Sequence, residues 1–95
     1  MKVIFSEQAD RDLHAIAVWI SGDRPNAARK VIRALQAKCA TLGKQPYVYQ
    51  FVEGREADGV RRAPCSRYLI LYRVEVDRIS IVRILDGAQD ITDLS

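Results

Sequence analysis

Ninety-five residues, 48% of them apolar and 28% charged, leave room for one ordinary soluble domain with a modest core. No apolar run approaches the roughly 20 residues that cross a bilayer, no signal-peptide pattern opens the chain, and two cysteines without Cys-x-x-Cys or Cys/His spacing exclude a disulfide framework and a metal site. The net charge of +3 is unevenly spread: Arg24 to Lys44 holds six basic residues and no acidic one, Arg61 to Arg83 holds six arginines against Glu75 and Asp77, and beyond Arg83 come only Asp86, Asp90 and Asp93.

Lys2–Phe5 is a short apolar run that reads as a first strand. Ser6 is a good helix N-cap, because its hydroxyl can accept from a backbone N–H that the first turn leaves unpaired. Glu7 and Asp10 then place negative charge at the positive end of the helix dipole. Ala9, Leu13, Ile16, Ala17 and Ile20 recur at helical spacing, so the first helix is expected from about Glu7 to Ile20. Ser21-Gly22-Asp23 ends it, with Gly22 available for a left-handed cap.

Pro25 suits the first turn of a second helix, where a missing N–H costs nothing. Ala28, Val31, Leu35, Cys39 and Leu42 form its apolar face, while Arg29, Lys30, Arg33 and Lys38 fall on other faces. Gly43 and Pro46 are expected to stop it, giving a helix over about Pro25–Leu42. The short connection makes the two helices an antiparallel hairpin. Clustered basic charge on the second helix suits an acidic partner, nucleic acid or protein; a solvated face kept for solubility is the alternative.

Tyr47–Gly59 is less readable. Tyr47, Tyr49 and Phe51 alternate, as in a loose edge strand or as aromatic anchors under a loop, and Glu53–Gly59 is polar. A strand begins near Val60, carries Arg61 and Arg62, and breaks at Pro64, which fits an edge position. Arg67–Val76 and Arg78–Leu85 are rich in Ile, Val, Leu and Tyr and flank a short polar turn, so they form a β-hairpin. Leu69, Ile70 and Leu71 are consecutive and apolar, so both faces of that strand need cover. Asp90–Leu94 reads as one turn of helix.

The order is β-α-α-β-β-β. The expected fold is α+β: an antiparallel sheet with the helical hairpin on one face, the first strand lying beside the last, in one domain over residues 1–95. The chain reads as complete and cytoplasmic. Cys39 and Cys65 read as reduced, partly buried thiols.

This order resembles the ParE branch of the RelE/ParE superfamily of type II toxin–antitoxin toxins. Arg61-Arg62-Ala63-Pro64 followed by Arg67-Tyr68-Leu69-Ile70-Leu71-Tyr72-Arg73-Val74 carries the resemblance most strongly. Arg83-Ile84-Leu85-Asp86-Gly87-Ala88-Gln89-Asp90-Ile91 is similar to the family's closing signature. Phe5-Ser6 ahead of a helix with Ala9, Asp12 and Leu13, and Pro25-Ala27-Ala28 in the second helix, also fit. Two positions depart from the pattern: Asp86 stands where the family usually has His, and Ser66 where it often has Gly. The resemblance implies a toxin neutralised by a small ParD-like antitoxin whose disordered tail folds on binding. ParE-like members are associated with inhibition of DNA gyrase, and RelE-like members with mRNA cleavage in the ribosome.

The residues bear on that choice. Cleavage at the RNA 2′-hydroxyl needs a general base, a general acid and cations on the phosphate. No Lys, Arg, His or Tyr follows Arg83. His14 lies between Leu13 and Ala15 on the first helix, with no partner in evidence. The expectation is therefore a ParE-like inhibitor of DNA gyrase with no catalytic residue, cofactor or metal, no membrane contact, and no direct nucleic-acid contact outside its antitoxin complex. The alternatives are a RelE-like ribosome-dependent mRNA endonuclease and a non-toxic basic RNA-binding or adaptor domain. Candidate target-binding residues are Arg61, Arg62, Tyr72, Arg73, Arg83 and Asp86. Candidate antitoxin-binding residues are Trp19, Arg29, Arg33 and Lys38. Tyr68 and Tyr72 have a blander reading as amphipathic packing residues, with Arg73 paired to an acid.

Overall fold

The computed structural model describes residues 1–87. It contains β1 (Lys2–Phe5), α1 (Glu7–Ser21), α2 (Pro25–Lys44), β2 (Val60–Cys65), β3 (Tyr68–Val74) and β4 (Arg78–Asp86), with a short 3-10 turn at Glu56–Asp58. The helix turn expected at Asp90–Leu94 lies outside the described residues.

Ser6 caps α1 as its side chain allows: extended at φ −67° and ψ 162°, it accepts from the backbone N–H of Ala9 at 3.0 Å. The other end departs from expectation. Gly22 is right-handed, at φ −52°. The helical path instead stops at Arg24, at φ −141° and ψ 73°, because a residue before proline is pushed out of the α region. α2 runs through Gly43 to Lys44. Gly43 is thus no helix stop. A Cβ there would meet the backbone oxygen of Met1 at 2.5 Å, and the N-terminal ammonium donates to the Gly43 carbonyl at 2.6 Å. This glycine is where β1 and the end of α2 touch.

The sheet order is β1-β4-β3-β2. β2–β3 and β3–β4 are antiparallel, as tight turns require. β1 lies beside β4 as expected, but parallel to it, so the sheet is mixed. The long connection through both helices leaves the direction of β1 free, which strand patterning could not reveal.

β4 changes phase halfway. Tyr72 faces Ile81 and Leu71 faces Arg83, leaving Val82 as an extra residue. β1 pairs only as far as Ile81, so the edge of β4 beyond it would be bare. α1 covers it. Ser6 Oγ donates to the Val82 carbonyl at 2.9 Å, and the Ile84 N–H donates to Asp12 Oδ2 at 2.9 Å.

β3 is central and covered on both sides. Tyr68, Ile70 and Tyr72 pack under the helices with Ala9, Leu35, Cys39, Leu42, Ile79, Ile81 and Ile84. Leu69 and Leu71 join Val52, Val60 and Leu85 in a second cluster. The outer edge of β2 is partly closed by Gln50–Val52: the Val52 N–H donates to the Val60 carbonyl, the Arg62 N–H to Gln50, and Phe51 bridges Arg61. By alternation the next outward-facing N–H would belong to Pro64, which has none, so the rest of that edge offers a poor template for strand addition.

The β2–β3 turn holds Ser66 at φ 57°, left-handed without a glycine. That conformation costs a residue with a Cβ roughly 1–2 kcal/mol. Ser66→Gly is expected to stabilise the fold by about 0.5–1 kcal/mol, read as a rise of a few degrees in the melting midpoint. An unchanged or lower midpoint would show that the turn carries no such strain.

Candidate functional site

The six candidate target-binding residues do not converge. Tyr72 must be withdrawn from any contact surface: it is fully buried, its hydroxyl donates to the Pro46 carbonyl at 2.8 Å, and burial pushes its phenol above its ordinary pKa. The alternation along β3 that puts Ile70 under the helices puts Tyr72 there too. Arg61 and Arg62 are successive residues of one strand and so point to opposite faces, opposite Tyr72 and Leu71 respectively. Arg61 is sandwiched between Phe51 and Tyr47, its guanidinium carbon 4.1 and 5.4 Å from the two ring centroids, and Nη1 donates to the Tyr49 carbonyl at 2.6 Å.

Arg73 is exposed and donates through Nε to the Asp58 carbonyl at 2.9 Å, so a backbone oxygen stands where an acidic side chain was expected. Arg83 is engaged inside the fold: its Nε and Nη2 donate to the two oxygens of Asp12 at 2.9 and 3.1 Å, and this bond raises its already high pKa. Asp86 receives Arg67 Nη2 at 2.5 Å. The Gly87 N–H donates to the Arg67 carbonyl, and a Cβ on Gly87 would meet that oxygen at 2.8 Å. Asp86 therefore belongs to a knot tying the β2–β3 turn to the end of β4.

The candidate antitoxin residues sort more clearly. The second half of α1 and the first half of α2 bound a mainly apolar groove of about 510 Å³. Ala17, Val18, Ala28 and Ile32 line it, with Arg29, Arg33 and His14 also on its wall. Val18 is 58% exposed. Trp19 is 82% exposed and lies outside the groove lining, on the neighbouring side of α1. Lys38 sits further along α2, half-buried, donating to the Tyr49 hydroxyl at 2.8 Å, and that bond raises its pKa. No buried charged residue is present among the described residues.

Sequence reasoning missed Asp12 as a structural group and His14 as a groove residue. The signal for Asp12 was its place: three residues after Ala9 and next to Leu13, it falls on the inward edge of the α1 stripe. For His14 the spacing to Ala17 and Val18 put it on one side of α1, but nothing in the sequence showed that side to be open.

Cys39 and Cys65 are free thiols, buried and half-buried. Burial pushes Cys39 from an ordinary 9.0 up to about 12. Its folded form keeps a proton that the unfolded chain gives up above about pH 9, so the unfolded state binds fewer protons there. Stability is expected to fall as pH rises from about 9 toward 12, and Cys39→Ser to flatten that fall, in denaturant titrations at pH 8 and pH 10. In the native protein at pH 8, a thiol reagent should label Cys65 first and Cys39 only on unfolding.

The model of the family "ParE toxin of type II toxin-antitoxin system, parDE" matches residues 3–91. No curated protein sequence is close enough to register as a match. Among solved structures, a chain of the chromosomal ParDE toxin–antitoxin system from P. aeruginosa superposes with a TM-score of 0.78 at 22% identity, covering 90% of this chain and 95% of that one. A chain of the toxin–antitoxin complex RelBE2 from Mycobacterium tuberculosis follows at 0.69 and 24%, covering 90% and 95%. A conserved hypothetical protein of Helicobacter pylori reaches 0.61 at 18%, covering 94% and 97%. These likenesses are likenesses of fold: two helices hairpinned on a four-stranded sheet.

Proposed function

The chain belongs to the ParE toxin family of type II toxin–antitoxin systems, and from that premise we propose that it is a toxin held inactive by a small ParD-like antitoxin and acting on DNA gyrase by binding. The observation that carries the antitoxin part is the groove: apolar on its floor, open to water, and rimmed by Arg29 and Arg33 in a stretch without acidic residues. An acidic, partly helical tail would bury apolar area and pair charge there in one step, which offsets the cost of ordering it. Binding should raise the melting midpoint by mass action, worth about 2.7 kcal/mol at a hundredfold excess over Kd. A neighbouring-frame product that neither co-purifies nor shifts the melting curve would count against this partner.

For the target, the branch of the family is one support and the chemistry of the described residues another. His14 stands on α1 in the groove, while the sheet arginines Arg61, Arg73 and Arg83 are engaged by carbonyl or carboxylate oxygens. Among the described residues no set of acid, base and cation gathers around one point, as RNA cleavage would need. The deciding experiment runs purified protein in a DNA gyrase supercoiling assay and, in parallel, on translating ribosomes with primer-extension readout. Lost supercoiling, restored by the antitoxin, supports the proposal. Codon-specific cleavage with supercoiling intact would replace it with the RelE-like reading. Inertness in both would direct attention to Asp86, and Asp86→His should then restore activity if that departure from the family is the cause.

A further inference from the structure

A second set of exposed apolar side chains lies away from the groove, between α2 and β2. Tyr47 is 65% exposed, Val48 63% and Phe51 38%. The backbone that carries them is fixed. Tyr72 and Arg61 hold the carbonyls of Pro46 and Tyr49, Lys38 holds the Tyr49 hydroxyl, and Val52 and Gln50 bond to β2. Tyr47 and Phe51 hold the Arg61 guanidinium against their rings, and Val48 lies outside both core clusters. Apolar side chains held out into water on an ordered backbone lower the cost of binding, since little remains to be ordered. Tyr, Phe and Arg are also the residue types that anchor protein interfaces.

The chemistry favours a protein segment over a phosphate backbone. Arg61 and Lys38, the two cations that contact the loop, are both engaged by Tyr49, and Val48 offers nothing to a stacked base. The charge on the α2 side of the loop favours an acidic segment: no Asp or Glu occurs from Arg24 through Val52, and the acids Glu53, Glu56 and Asp58 lie on the side that leads to β2. One surface joins this loop to the groove: Arg33, Ala37, Ala40 and Lys44 are all exposed at helical spacing along the outside of α2. At a rise of about 1.5 Å per helical residue the path from Arg33 to Lys44 is roughly 17 Å, or about five residues of extended chain.

We propose that the Tyr47–Val48–Phe51 loop is a second docking site for the acidic partner segment that fills the groove, reached over the acid-free outer face of α2. This rests on the antitoxin reading above. Two linked contacts make the second one intramolecular, so the loop prolongs a complex that the groove alone would release sooner.

The test measures association and dissociation rates of the full-length antitoxin on the full-length chain. Val48 lies outside both core clusters, so Val48→Asp should leave the melting midpoint unchanged and speed dissociation roughly tenfold or more, by placing like charge against the segment. Val48→Lys should lose much less. Tyr47→Ala supplies a second measurement should Val48→Asp disturb the fold, and it too should speed dissociation. Ala17→Glu, in the groove, should weaken binding in either case. If Val48→Asp and Tyr47→Ala both dissociate like the unaltered chain while Ala17→Glu does not, the partner uses the groove alone and the proposal is overturned. An unaltered chain that fails to bind the antitoxin would overturn the partner reading together with it.

Discussion

Asp12→Ala is expected to cost about 2–4 kcal/mol of folding stability, more than any other surface-proximal substitution in this chain. Asp12 receives four hydrogen bonds: two from the Arg83 guanidinium, one from the Ile84 N–H and one, on the exposed side, from Gln8 Nε2. Its side chain is 11% exposed and that of Arg83 29%, so the pair is only partly screened by water. Alanine would leave the Ile84 N–H without a partner on an edge that β1 does not reach, and a half-buried guanidinium without its counter-charge. For a chain this size the loss should lower the melting midpoint by roughly 10–20 °C. Asp12→Asn keeps an acceptor for Ile84 and should cost about half as much. The Asp12/Arg83 double-mutant cycle should return a coupling of about 1–3 kcal/mol, because the two residues share one network. A loss under about 0.5 kcal/mol for Asp12→Ala would mean that α1 is held to β4 by apolar packing alone.

The parts of this fold that were legible in the sequence are those fixed by neighbours along the chain. Ser6 could be read as a cap because its acceptor lies three residues on. Leu69-Ile70-Leu71 could be read as doubly covered because alternation sends Ile70 one way and its neighbours the other. The parts that were not legible join distant residues. Nothing in the order of residues says that Arg83 meets Asp12, or that Arg73 meets a backbone carbonyl and not an acid. The same holds for the direction of β1, which no turn constrains. Gly43 was misread for a related reason: glycine near a helix end usually terminates it, but here the missing Cβ makes room for Met1. For the candidate site, the basic run on α2 was visible and the groove beside it was not, because a groove is made by two helices and the sequence shows one at a time.

Arg29→Glu with Arg33→Glu is expected to slow antitoxin association by about a hundredfold at low salt, the largest effect on binding anticipated for this protein. Both residues are exposed, both line the groove wall, and no acidic residue from Arg24 to Val52 dilutes their field. Long-range attraction acts on the encounter, so the rate of association should change more than the rate of dissociation. Salt is the check on that mechanism. At about 0.01 M ionic strength the screening length is roughly 30 Å and at 1 M about 3 Å, so the variant and the unaltered chain should converge as salt rises. The control is Lys2→Glu with Arg78→Glu, which makes the same change in net charge on the paired strands β1 and β4. If that control slows association equally, the antitoxin responds to net charge and not to the groove rim. If neither variant slows it, the acidic-tail reading of the partner fails. An unchanged melting midpoint in the Arg29/Arg33 variant would separate either outcome from loss of fold, since neither side chain takes part in the core.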